Sequence, residues 1–87
     1  MSKFYVSFGQ NHIHKLDHAV IDNNCIVELE AENTHIARNA ADELFNCKFS
    51  ILYDHIPNMK YFSRGIFDIF GNKLKTQAEI LSNGAFV

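Results

Sequence analysis

Histidines are concentrated in one short stretch of the chain, where His12 and His14 are followed closely by Asp17 and His18. If residues 12–14 are extended, both imidazoles point to the same side, because side chains alternate along a strand. Two imidazoles with one more imidazole or carboxylate can bind a divalent transition metal. These four residues are therefore candidate metal ligands. No fourth ligand stands at a standard spacing, so the sequence predicts a solvated loop with no bound metal or cofactor.

A second use for the histidine pair is to hold or protonate a phosphate group. Catalysis needs an acid and a base in fixed geometry around a substrate. A single His-x-His lacks the repeated His-x-Thr or His-x-Ser motifs that mark some phosphoesterases. We therefore assign no catalytic residue, and binding without catalysis is the preferred reading.

Lys60, Arg64 and Gly65 form a second group, next to Tyr61 and Phe62. The planar guanidinium of arginine suits phosphate or carboxylate, and an aromatic ring can stack on a base. The simpler reading is that the aromatic residues fill the edge of the core while both cations are solvated. The residues predicted to bind a ligand or partner are thus Gln10, His12, His14, His18, Lys60 and Arg64.

Other polar residues have simpler explanations. Asp54 stands before His55 in a turn that contains Pro57, and an aspartate there usually accepts hydrogen bonds from its own backbone. Glu28 and Glu30 share one face of a predicted strand. Their predicted role is solubility and protection of a sheet edge.

Composition limits the class of protein. The chain has 87 residues, which is one small domain, and 47% of them are hydrophobic, with eight Phe and three Tyr. So many aromatic residues predict a dense core or an apolar surface that pairs with a second copy, hence a homodimer. The net charge of −2 argues against a general nucleic-acid binder. This charge is compatible with a small anionic ligand, since one or two cations suffice for it.

The two cysteines and the hydropathy pattern indicate a cytoplasmic protein. Cys25 and Cys47 have no partner at metal-binding or disulfide-framework spacing, so both are predicted to be buried and apolar. No apolar run approaches the roughly 20 residues that cross a bilayer, and no signal peptide is recognisable. We expect no membrane association.

Alternation of apolar and polar residues predicts four strands, at residues 4–8, 25–31, 49–53 and 66–70. Residues 9–24 have no steady period. The helix between the second and third strands is the clearest element, with Asn33 or Thr34 as its cap and Asn46 as a left-handed stop. Its apolar positions recur at helical spacing: Ile36, Ala37, Ala40, Ala41, Leu44 and Phe45.

The order β-β-α-β-β predicts an α+β fold, with one mostly antiparallel sheet and a single amphipathic helix packed on one face. Residues 1–70 form the predicted domain. Residues 71–87 are expected to be an extension, either a flexible tail or a short helix through Leu74, Ala78 and Leu81. The main helix is interpreted as scaffold, because its outer face carries no coherent set of functional groups.

Several short motifs occur together: FYVSFG at 4–9, HIH at 12–14, VELEAEN at 27–33, AR at 37–38 and FSRGI at 62–66. With them the chain resembles a group of short, uncharacterised proteins of phages and prophages, over residues 3–70. The resemblance implies an accessory protein that acts in the host cytoplasm. Small proteins of that origin often bind host proteins or signalling nucleotides.

Three functional hypotheses follow. The first is a binding protein that engages or inhibits a host defence or regulatory protein, through the loop at 9–18 and Arg64. The second is binding, sequestration or hydrolysis of a small phosphorylated ligand such as a nucleotide, by the histidines and Arg64. The third is a small metal-binding protein.

Overall fold

The computed structural model describes residues 1–82. A five-stranded sheet forms its centre, with strands β1 (Ser2–Ser7), β4 (Cys25–Ala31), β5 (Ile51–Tyr53), β6 (Gly65–Phe67) and β7 (Lys73–Lys75). Their order across the sheet is β5-β1-β4-β6-β7, and every neighbouring pair is antiparallel except β4 with β6. The predicted α+β class with a mostly antiparallel sheet is confirmed.

The main helix α1 (Thr34–Phe45) connects β4 to β5 and packs on one face of the sheet. The Asn33 side chain caps it by accepting a 2.9 Å hydrogen bond from the backbone N–H of Ile36. Asn46 ends it in the left-handed conformation, at φ 53°. Both predicted boundaries are therefore confirmed.

The larger core lies between α1 and this face of the sheet. Ala37, Ala41 and Phe45 are the buried residues of the helix, and the two alanines let its backbone lie close to the strands. The strand residues of this core alternate along β1 and β4, as the period of two requires: Phe4, Val6, Cys25, Val27, Leu29 and Ala31.

The opposite face of the sheet is also partly covered. Tyr5, Ile26 and Ile66 are buried there, under Met59 of a short 3₁₀ turn (Met59–Tyr61) and Ile80 of a second helix, α2 (Gln77–Ser82). These two elements cover only part of this face, and Glu30 of β4 remains exposed on it.

The last predicted strand, at 66–70, is shorter in the structure, where β6 ends at Phe67. The Asp68 carboxylate accepts hydrogen bonds from the backbone N–H groups of Phe70, at 2.8 Å, and Asn72, at 2.9 Å. This turn ends β6 and returns the chain as β7. The residues from 71 to 82 thus contact the sheet through β7 and Ile80. Residues 83–87 of the expected extension lie outside the described residues.

Residues 9–24 contain a small hairpin of β2 (His14–Lys15) and β3 (Val20–Ile21). Ile21 and Leu16 join the larger core from it. Cys25 is buried as predicted, but Cys47 is exposed, because it follows the helix in a left-handed turn at φ 61°. None of the helices in residues 1–82 is long and apolar enough to cross a membrane.

Candidate functional site

The rings of His12 and His14 are both engaged by backbone groups of the chain. Nδ1 of His12 accepts a 2.9 Å hydrogen bond from the N–H of Gly9, which closes the turn after β1. Nε2 of His14 lies 2.6 Å from the carbonyl oxygen of Lys48, so Nε2 carries the hydrogen and donates it. The His14 ring also contacts the rings of Phe8 and Phe45. His14 therefore holds the loop against the core, while His12 closes the turn at its start.

The remaining candidate residues of the loop, Gln10, Asp17 and His18, are exposed. The backbone N–H of His18 donates to the carbonyl of Phe70, which fixes the tip of the hairpin and leaves its imidazole in solvent. Within residues 1–82, no three side chains among His, Cys, Asp and Glu are grouped so that they could hold a metal ion. The structure thus does not bring the four candidate ligands together.

Arg64 serves as a clamp between the hairpin and the sheet. Nη1 donates a 2.6 Å hydrogen bond to the carbonyl oxygen of Val20 and lies 3.5 Å from a carboxylate oxygen of Asp22. The guanidinium also lies over the Phe67 ring, 5.5 Å from its centroid. The guanidinium that was expected to meet a ligand is largely occupied by the chain itself.

Lys60 is exposed on the 3₁₀ turn that covers the opposite face of the sheet. Its backbone carbonyl accepts from Gln77 of α2, so this residue belongs to a packing contact. Lys60 and Arg64 are therefore carried by elements on different faces. Asp54 and His55 form an exposed pair at 2.8 Å, and the hydrogen bond from His55 lowers the pKa of Asp54.

An open groove of about 400 Å³ lies elsewhere, where α1 meets the end of the sheet. Its apolar wall consists of Ala40 and Leu44 of α1 on one side, and Ile69 and Leu74 on the other, above Leu29 of β4. The Leu44 side chain is 41% exposed and Leu74 is 44% exposed. We call this feature the α1–β7 groove. Its volume is within the range of about 300–1,000 Å³ that small-ligand sites occupy.

An unpaired strand edge forms the floor of the α1–β7 groove. β6 pairs with β4 only along Cys25, Ile26 and Val27, because the chain turns away at Asp68. Residues 28–31 pair with β1 on their other side, and no strand within residues 1–82 pairs with them at the groove. An unpaired edge presents backbone N–H and C=O groups.

The polar rim of the groove is acidic. Glu28, Glu30 and Asp68 line it. The Glu28 carboxylate lies 3.7 Å from the ammonium of Lys3, while the exposed Glu30 carboxylate has no hydrogen bond or ion pair with any described residue. Burial raises the pKa of Asp68, but hydrogen bonds from Asn72 and its neighbours outweigh this effect and lower the pKa below its usual value. Asp68 is therefore charged at neutral pH.

Sequence reasoning did not find the α1–β7 groove, although it contained two signals. The apolar surface of the helix is wider than one buried row needs: Ile36, Ala40 and Leu44 form a second row beside Ala37, Ala41 and Phe45. The alternating glutamates of β4 were interpreted as edge protection only. Ala40 and Leu44 of this second row line the groove.

No protein-family model matches the chain, and no curated protein or solved structure matches it. The resemblance to small phage proteins therefore stays a prediction. The geometry of the α1–β7 groove is the main basis for a functional argument.

Proposed function

We propose that this protein is a small binding module that acts without catalysis, by docking a segment of a partner protein in the α1–β7 groove. The observation that carries the proposal is the pairing of exposed apolar side chains, Leu44 and Leu74, with an acidic rim at an unpaired strand edge. The partner segment that fits has apolar side chains beside Lys or Arg. The phage resemblance adds the expectation that this segment belongs to a host regulatory or defence protein.

Leu44 is favourable for binding because it lines the groove and is 41% exposed. The buried row of α1 is Ala37, Ala41 and Phe45, and Leu44 lies beside that row. Burying a leucine side chain completely contributes about 1.5–3 kcal/mol, so the exposed part leaves a gain for a partner to realise. Charged rims add specificity and speed of association more than affinity.

Binding of a small phosphorylated ligand is a second candidate with less support. The rings of His12 and His14 are engaged by backbone groups, and Arg64 donates to a backbone carbonyl and faces the Asp22 carboxylate. A phosphate would compete with this carboxylate for the guanidinium. Isothermal titration with ATP and with inorganic phosphate tests this candidate directly.

The proposal is tested by selecting peptides from a random 12-residue display library on the wild-type protein. The selected peptides are then measured on Leu44→Asp and on a matched control, Ile51→Asp, which changes an exposed isoleucine (48%) of β5, outside the groove. We expect selected peptides to combine apolar residues with Lys or Arg, to lose at least about tenfold in affinity on Leu44→Asp, and to bind the control normally. Peptides that bind Leu44→Asp as well as wild type, or the absence of any selected peptide, would refute the proposal.

A further inference from the structure

The backbone at the floor of the α1–β7 groove restricts what can bind there. Residues 28–31 extend for about 13 Å at 3.3 Å per residue, and their outward N–H and C=O groups have no strand partner within the described chain. An apolar helix face laid over them would desolvate these groups without replacing their hydrogen bonds, which costs about 1–3 kcal/mol per group. A strand supplies the missing partners.

The two faces of the sheet at this edge differ in chemistry. Leu29 points to the face that α1 covers, where Leu44 and Ala40 also line the groove. Glu28 and Glu30 point to the opposite face, since side chains alternate along β4. A strand added beside them would also alternate, and would place successive side chains against leucine and against glutamate.

We infer that the α1–β7 groove binds its partner by strand addition, and that the partner segment is a short extended one in which apolar residues alternate with Lys or Arg. This inference rests on the proposed function, and it specifies the conformation and the sequence pattern of the partner. Main-chain hydrogen bonds to residues 28–31 provide affinity in this mode, while alternate side chains provide specificity.

A second copy of this chain does not fit the same edge. Antiparallel pairing of two β4 strands would place Glu28 and Glu30 of both copies on one face, and like charges opposite each other are destabilising in a sheet. The glutamates thus protect the edge from self-association, as the sequence suggests. The same charges favour a strand that carries lysine or arginine, so the edge selects a partner of different sequence.

Synthetic peptides separate the pattern from the composition. The probes are the hexapeptide of three Leu-Lys repeats, an isomer with three leucines followed by three lysines, and the hexapeptide of three Leu-Glu repeats, all with blocked termini. Binding is measured by titration into ¹⁵N-labelled protein. We expect the alternating basic peptide to bind at least about fivefold tighter than its isomer and about tenfold tighter than the acidic peptide, with shifts at residues 28–31.

Backbone modification tests the strand itself. Two versions of the alternating basic peptide carry one N-methyl group each, at two successive central residues. In an added strand only every second N–H faces the neighbouring strand, so one version should bind normally and the other should lose most of its affinity. Glu30→Gln should weaken the basic peptide severalfold, and Glu43→Gln, an exposed helix position outside the groove, should not.

The outcomes distinguish this inference from the proposed function. Equal binding of the two isomers, or equal loss with both N-methyl peptides, would overturn strand addition. If strand addition failed in this way but the display-selected peptides still depended on Leu44, the proposed docking in the groove would be retained. The partner segment would then bind in a conformation other than a strand. If neither set of peptides depended on the groove, both the inference and the proposed function would fail.

Discussion

Arg64 and Val20 are 44 positions apart in the chain, and the guanidinium of Arg64 donates a 2.6 Å hydrogen bond to the Val20 carbonyl. The contact joins the β2–β3 hairpin to the turn that leads into β6. Asp22 completes it from the carboxylate side, at 3.5 Å, and also accepts from the backbone N–H of Asn24. Arg64 therefore links the β2–β3 hairpin to the sheet at the start of β6.

Replacing Arg64 with methionine should destabilise the protein by about 1–2 kcal/mol. A charge-assisted hydrogen bond is worth about 1.5–3 kcal/mol, and partial exposure of this contact reduces that contribution. Urea denaturation followed by circular dichroism gives the free energy of unfolding. Lys60→Met is the control, since it removes an exposed cation and should change stability by no more than about 0.5 kcal/mol. An unchanged midpoint for Arg64→Met would contradict the clamp.

Replacing His14 should reveal a structural histidine. His14→Phe keeps a ring against Phe8 and Phe45 but loses the hydrogen bond to Lys48, and should cost about 1 kcal/mol. His14→Ala also loses the ring contacts and should cost about 2 kcal/mol or more.

His18→Ala is the matched control, because its imidazole is exposed, and we expect a change within about 0.5 kcal/mol. Thermal melts with and without zinc complete the test. A zinc-dependent rise in melting temperature that is lost in His14→Ala would replace the structural role with metal binding.

The sequence predicts the main elements of the fold because their signals are local. The helix boundaries at Asn33 and Asn46 depend on side-chain and backbone hydrogen bonds within one turn, and both are confirmed. Alternation likewise identifies β1 and β4. β7 was not predicted, because no other apolar residue alternates with Leu74 in the sequence around it. Only the pairing with β6 makes this segment a strand.

The α1–β7 groove could not be read from the sequence because it depends on where a strand stops pairing. Asp68 ends β6 by accepting two backbone hydrogen bonds, and only then does the edge of β4 become free. In the same way, Arg64 looks like a free cation until the hairpin places the Val20 carbonyl beside it. The pairing of β4 with β6 and the contact of Arg64 with Val20 both join residues that are distant in sequence.

Gly65→Ala should be strongly destabilising. Gly65 has φ +89°, and a Cβ there would overlap the backbone carbonyl oxygen of Lys75 on β7. Neither the strain nor the overlap can be relieved by a side-chain movement, so we expect a loss of about 2–4 kcal/mol or separation of β7 from β6. Hydrogen exchange at the Lys75 amide distinguishes these results. Gly9→Ala is the control, since its nearest neighbour is the His12 ring at 3.3 Å, and it should cost less than about 1 kcal/mol.

Tyr5 should make the protein less stable at high pH. Burial and the neighbouring Glu28 carboxylate, which accepts the hydrogen bond of the phenol, together raise the pKa of Tyr5 to about 12. Because this pKa is above the ordinary value of 10.0, the folded state holds the phenol proton more tightly than the unfolded state does. The stability that results is fully present below pH 10. That contribution is lost as the pH rises towards 12. Urea denaturation at several pH values should show stability falling across this interval in wild type.

The matched variant is Tyr5→Phe, which keeps the ring buried with Ile26 and Ile66 on the face opposite α1 and removes the titrating group. Between pH 10 and 12, the free energy of unfolding of Tyr5→Phe should fall by about 1–3 kcal/mol less than that of wild type. Ultraviolet absorbance should show the same group directly, as a phenolate step near pH 12 that Tyr5→Phe lacks. Glu28→Gln should move that step to lower pH, since the carboxylate charge that opposes ionisation is gone. A wild-type titration complete by pH 11 would contradict both the burial of the hydroxyl and its pairing with Glu28.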